Sequence, residues 1–312
     1  MGASCGRSAR SGLSDRRMAP ARQGAAAVSS CSSPAVRPQA LDVLKAYEVG
    51  DVIGAGGYGT VRRGVCRQTG AERAIKTVPK RSDAYVRAVR REVAILAKMD
   101  HPNIISFSAA FEDQSFIHLV MQLAHGGDLH TCVEEAKRLR EWEAAGVMRQ
   151  ILGAVLCLQE FDVAHRDLKL ENCVFSMPGA VCSEGNILKL VDFGSARRCG
   201  PDEYMRSMVG TPLYIAPQVL ARKYDKTCDL WSAGVVMYIL LSGQAPFMGT
   251  NLKEICARIR RGHWALSGKA WDDVSAEAKG LIGALMEAKQ HSRISAGAAL
   301  DHAWFQTMAD LW

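Results

Sequence analysis

The sequence predicts an α+β molecule of two lobes: a small lobe built on an antiparallel β-sheet with one main helix, and a larger, mainly helical lobe. Three observations carry this. Residues 47–121 hold short runs that alternate apolar and polar positions. One helical pattern interrupts them. After Gly126-Gly127 the apolar positions recur at helical spacing.

Residues 1–46 come first. They are rich in Ala, Ser, Arg, Gly and Pro and show no apolar period. Such a segment buries too little surface to offset the entropy of ordering, so a disordered basic tail is expected. It holds Arg7, Arg10, Arg16, Arg17, Arg22, Arg37 and Lys45 against Asp15 and Asp42, which makes +5 of the net +7. The remaining chain is close to neutral and has no basic stripe with interleaved aromatics, which argues against nucleic acid as a partner.

From Tyr47 the alternating runs are Tyr47–Ile53, Thr60–Val65, Arg73–Val78 and Phe116–Gln122, read as antiparallel strands. Val86, Val89, Val93 and Leu96 mark the interposed helix, with Arg87, Arg90 and Arg91 on its other face. The small lobe is placed at 47–121, a connecting hinge at 122–125 and the large lobe at 126–305, with 306–312 as a short extension. In the large lobe Val147, Ile151, Val155 and Leu158 form one stripe, and further helices are expected over roughly 227–242, 251–262, 275–287 and 295–304. The apolar stretch Ala233–Leu241 is far short of the ~20 residues that span a bilayer and reads as a buried helix. Ten cysteines without C-x-x-C or metal spacing indicate reduced thiols in an intracellular protein, with no zinc site expected.

Chemistry concentrates in a few segments. Gly54-Ala55-Gly56-Gly57-Tyr58-Gly59-Thr60-Val61 is a G-x-G-x-x-G-x-V run between two strands. Glycines let a backbone approach phosphates closely, although dinucleotide folds and ordinary turns use the same pattern. A dinucleotide fingerprint would open a helix, which this run does not. Lys76 follows on the next strand, where a buried ammonium needs a partner. Glu92, on the helical face of Val89 and Val93, is the candidate; a solvated surface lysine is the alternative. Then come His165-Arg166-Asp167-Leu168-Lys169-Leu170-Glu171-Asn172 and, twenty residues past Asn172, Asp192-Phe193-Gly194.

With these motifs in this order, residues 47–305 resemble the protein-kinase family. The resemblance implies transfer of the γ-phosphoryl group of ATP, with Mg²⁺, to protein serine or threonine hydroxyls. Asp167 would accept the substrate hydroxyl's proton, Asn172 and Asp192 would hold Mg²⁺, and Lys76, fixed by Glu92, would grip the α- and β-phosphates. Lys169 would reach the γ-phosphate, and with Thr211 it fits the serine/threonine class. The glycines Gly54, Gly56, Gly57 and Gly59 would cover the nucleotide. Adenine would lie between Val61 and Ala74 above and Val174 below, along the hinge Gln122–Ala124, with Met121 as gatekeeper and Asp128 at the cleft mouth. Gln122 replaces a common hinge glutamate, a minor change where backbone makes the contacts. Leu96, Phe107, His165 and Phe193 match the regulatory spine, anchored by Asp229.

Gly210–Pro217, Tyr238–Phe247, Val274–Phe305 and the long loop Ser176–Asn186 resemble the calcium/calmodulin-dependent group, especially the calcium-dependent protein kinases of plants and protists. No EF-hand loop D-x-[DN]-x-[DN]-G occurs, so direct calcium control is not expected. Ser207, three residues before Gly210, matches a position where many kinases carry an activating phosphate that Arg166 would receive. Asp128 matches the acidic position that pairs with arginine three residues before the phosphoacceptor, giving a preference for basic motifs, and Glu171 would also face protein substrates; Met208, Pro212 and Ile215 would offer an apolar pocket after the phosphoacceptor. A second acid that some kinases use is replaced by Ile239. Gln218 departs from the usual A-P-E glutamate, leaving Arg293 with a neutral partner and weakening stability or loop order. A monomer is expected. The alternative function is a pseudokinase scaffold that binds nucleotide or partners without turnover, disfavoured because Lys76, Asp167 and Asp192 are all present. For the tail, Met1-Gly2-Ala3-Ser4-Cys5-Gly6 admits a lipid anchor that would bring a cytoplasmic protein to a membrane surface; a transit peptide and a plain tail are the other readings.

Overall fold

A computed structural model describes Met1, residues 42–56 and residues 59–309. All of these except Met1 belong to one compact unit, Pro34–Trp312. The tail motifs weighed above, including Cys5, lie outside the described residues.

The chain enters through one helical turn, α1 (Val43–Ala46), capped by Asp42, whose carboxylate accepts from the Leu44 N–H. These residues fall within the stretch assigned by composition to a disordered tail. They are ordered because Val43 is buried with Tyr47, Ile75, Phe111 and Val120. The small-lobe sheet has the order β1-β2-β3-β5-β4, all antiparallel, from β1 (Tyr47–Gly56), β2 (Gly59–Cys66), β3 (Glu72–Pro79), β4 (Phe107–Glu112) and β5 (Phe116–Gln122). β4 was not expected. Its Phe-Ser-Ala-Ala-Phe-Glu text is poor in β-branched residues, and pairing with β5 makes it a strand. Helix α2 (Asp83–Leu96) starts at the Ser82 cap and buries Val89, Glu92, Val93 and Leu96 on one face.

The large lobe opens with α3 (Leu129–Ala136) and α4 (Glu141–Glu160), which carries the predicted stripe. Two small ribbons follow: β6 (Val163–Ala164) pairs with β9 (Arg197–Arg198), and β7 (Cys173–Phe175) pairs with β8 (Leu188–Leu190). Their brevity hid them from periodicity, yet they clamp both ends of the two motif-bearing loops. The remaining helices are α5 (Pro217–Leu220), α6 (Cys228–Ser242), α7 (Leu252–Arg261), α8 (Ala276–Leu285), α9 (Ala296–Leu300) and α10 (Ala303–Ala309). Helix α6 is buried from Cys228 to Leu241 and packs on α4 and α8. Gly234 permits the close approach to α8: a Cβ there would lie 2.7 Å from Met286 Cγ and 2.9 Å from Leu285 Cβ. The helix expected over 295–304 is two pieces, because the chain turns at Asp301-His302 to bury Trp304 and Phe305. No helix among the described residues is long and apolar enough to cross a membrane.

One carboxylate ties three helices of this lobe. Glu141, at the start of α4, accepts from the Ser275 N–H (2.9 Å), from the Ser275 hydroxyl and from Trp304 Nε1 (2.7 Å). Glu141→Ala leaves the fully buried Trp304 N–H without its acceptor and is expected to cost about 2 kcal/mol in urea unfolding. A loss under a few tenths would remove this hub role.

Candidate active site

Between the sheet and the helical lobe lies a cleft of about 630 Å³. Gly54, Gly56, Gly59, Val61 and Ala74 form its roof; Met121, Gln122 and Ala124 line its back; Val174 lies below. The glycine run is less of a loop than expected, since Gly54 and Gly56 lie on β1 itself, opposite Val61 and Gly59. Gly59 is required there, with φ +143° and a Cβ position 2.3 Å from the Thr77 carbonyl oxygen. Gly57 lies outside the described residues.

The strand lysine is buried, not solvated. Lys76 is 6% exposed, and its Nζ donates to Glu92 Oε1 at 2.7 Å and to Asp192 Oδ1 at 2.8 Å. Burial alone would push the ammonium down, but the two carboxylates outweigh it and hold Lys76 above the ordinary lysine value. Burial lifts the Glu92 carboxyl despite the pull of Lys76. For Asp192 the balance is reversed: burial would raise its carboxyl, and the Lys76 cation holds it below the usual range. Because the Asp192 pKa falls on folding, its share of stability is present above about pH 4 and is lost as acid protonates it. Asp192 itself sits at φ 58°, a left-handed conformation that a short polar side chain tolerates.

The loop between β6 and β7 is pinned from below. The fully buried Asp229 carboxylate accepts from the backbone N–H of His165 (2.7 Å) and of Arg166 (2.8 Å). The His165 ring meets Phe193 edge-on at 4.8 Å, and Leu96 and Phe107 are buried as the spine match anticipates. Asp167 Oδ1 accepts from the Thr211 N–H (2.9 Å) and hydroxyl (2.8 Å). Lys169 Nζ lies 3.7 Å from Asp167 Oδ2 and donates to the Thr211 hydroxyl at 3.1 Å. Asn172 Nδ2 donates to the Asp167 carbonyl at 2.8 Å, which leaves the amide oxygen of Asn172 for another partner.

At the cleft mouth Asp128 and Glu171 differ. The Asp128 carboxylate caps α3, accepting from the Thr131 N–H and hydroxyl, whereas Glu171 is exposed. Ser207 lies apart from the cleft, its hydroxyl 2.9 Å from Arg166 Nη1. Gln218 receives Arg293 Nη2 at 3.0 Å, so the expected neutral pairing is formed. The Glu287 and Thr227 carbonyls take the other donors of Arg293, and burial pushes that guanidinium down to about 10. The cleft also involves Ile53, Ile105, Leu123, Gly127 and Val191, none of them singled out by sequence. Leu123 lies between two named hinge residues and was within reach of that argument. Ile105 belongs to no motif and is brought in by its N–H bond to the Leu190 carbonyl.

A family model described as "Protein kinase domain" matches residues 47–305. The chain is 38% identical over 254 residues to calcium-dependent protein kinase 5 of Plasmodium falciparum (isolate 3D7), covering 81% of this chain and 44% of that protein. It is 39% identical over 264 residues to calcium-dependent protein kinase 25 of Arabidopsis thaliana, with coverage of 83% and 50%. It is 35% identical over 267 residues to "Probable serine/threonine-protein kinase fhkC" of Dictyostelium discoideum, with coverage of 83% and 44%. The chain thus spans about half the length of the relatives it matches. With a two-lobed fold, a cleft that gathers the motif residues and a domain match over most of its length, this chain belongs to the protein kinase family.

Proposed function

We propose that the chain is a serine/threonine protein kinase that transfers the γ-phosphoryl group of ATP to protein hydroxyls. The observation that carries this reading is the convergence of Lys76, Asp167 and Asp192 on one cleft. Phosphoryl transfer asks for positioning and for neutralisation of spreading negative charge. Lys76 supplies a fixed cation to the phosphates. Asp167, held by Thr211 through Oδ1, turns Oδ2 to the substrate hydroxyl, orients it and accepts its proton. Lys169 adds a second cation on the side of the transferred group.

The donors suit Mg²⁺, which takes hard oxygen ligands and leaves places for water and phosphate. Asp192 offers carboxylate oxygen and Asn172 its free amide oxygen. With Asp192 and Asn172 as its protein ligands, the ion would draw its remaining ligands from water and phosphate oxygens. The ion, when bound, neutralises charge on the phosphates.

Glu171 is the acid best suited to a substrate arginine, because the Asp128 carboxylate is shared with the α3 cap. Glu171→Ala is expected to raise KM for an Arg-x-x-Ser peptide by up to about fivefold while KM for ATP stays put. A peptide array showing no arginine preference in the unaltered enzyme would refute the specificity. Ser207 is the regulatory position in this reading, since a phosphate there would meet Arg166. Equal activity of Ser207→Ala, Ser207→Asp and the unaltered chain would remove that role.

A further inference from the structure

Arg166 has a set of neutral partners outside the cleft. Its Nε donates to the Ser195 carbonyl at 2.7 Å, and its Nη1 donates to the Ser207 hydroxyl at 2.9 Å and to the Tyr224 phenol oxygen at 3.2 Å. Tyr224 is fully buried, and its own O–H donates to the Ser207 carbonyl at 2.7 Å. The phenol therefore uses both capacities of a hydroxyl, donating to the loop and accepting from the arginine. Its backbone is fixed as well: Met205 and Tyr224 exchange both N–H···O bonds, at 2.7 and 3.2 Å, in an isolated antiparallel bridge. Arg166 precedes Asp167, and Ser207 lies four residues before Thr211, which holds Asp167 Oδ1.

We infer that Tyr224 is a positioning residue for the substrate-facing side of the site, tying the 205–211 segment to the loop that carries Asp167. This rests on the kinase reading for its consequence in turnover, but the contact itself does not. The phenol bridges two segments far apart in sequence, accepting from Arg166 and donating to Ser207, beside the direct Arg166–Ser207 bond. Phenylalanine would keep the ring and its packing while leaving an Arg166 N–H and the Ser207 carbonyl without a partner. The lost order falls on Asp167 and on the loop that receives the substrate, and it spares the roof and Lys76, which hold the nucleotide.

The test is Tyr224→Phe in the full chain, alone and combined with Ser207→Ala, read by amide hydrogen exchange and by steady-state kinetics. Exchange over residues 205–211 should rise about tenfold, with β3 and β5 unchanged. With a basic peptide, kcat/KM should fall about tenfold and KM for ATP should stay within twofold. The double variant should lose less than the product of the two single losses, because both hydroxyls hold one guanidinium. Unchanged exchange over 205–211 would overturn the proposal, and so would equal losses in peptide and ATP parameters. If the unaltered chain shows no turnover, the kinase reading fails while the exchange result still decides the role of Tyr224.

Discussion

Asp167→Ala is expected to lower kcat by about 10²–10⁴-fold, the range associated with loss of a positioned general base. Affinity for Mg²⁺-ATP should change little, because Lys76, Asn172 and Asp192 remain. The geometry makes the separation clean. Asp167 is held by the Thr211 N–H and hydroxyl, and the substitution leaves the Lys76 bonds to Glu92 and Asp192 untouched. Nucleotide binding by calorimetry and turnover by phosphate incorporation measure the two halves. A parallel collapse of binding and turnover would mean that Asp167 acts on the fold of the cleft and has no separate chemical role.

Lys76→Met should remove turnover and also weaken the fold, by an amount that depends on pH. Removing one member of a buried ion pair costs about 3–5 kcal/mol when the other stays charged. Here both Asp192 and Glu92 lose their cation, and the more deeply buried of the two is Glu92, 3% exposed, whose carboxyl burial already lifts. Without Lys76 its folded pKa rises further above the unfolded value. Stability is then retained below the unfolded pKa, near pH 4, and falls as pH climbs through the folded pKa. The stability gap between Lys76→Met and the unaltered chain should therefore be wider at pH 8 than at pH 5. Adding Glu92→Gln should recover part of the loss at pH 8 without restoring turnover. A gap independent of pH, with no recovery in the double variant, would show that Glu92 is not left charged.

How far the sequence foretells this molecule depends on where each signal resides. Periodicity is local, so the long amphipathic and buried helices α2, α4 and α6 were legible from spacing alone, as were β1, β2, β3 and β5. The motif residues were legible because their chemistry is written in contiguous runs. What escaped depends on the tertiary fold. β4 exists through its pairing with β5, and the two-residue ribbon β6–β9 is too short to carry a period. Asp128 is expected to face a substrate arginine, yet its carboxylate is engaged in capping α3. Ile105 and Tyr224 gain their places through bonds to Leu190 and Arg166, respectively, which no spacing announces. Gln218 shows the intermediate case. Its departure from a glutamate was visible, but not that three carbonyl bonds to Glu287 and Thr227 would share the burden of Arg293.

The decisive measurement is phosphate incorporation into an Arg-x-x-Ser peptide by the purified chain with Mg²⁺-ATP, beside Asp192→Asn, with and without calcium. The kinase reading requires label on the serine with the unaltered chain and background with Asp192→Asn. Absence of label from the unaltered chain in every condition, or equal label from both proteins, would contradict it.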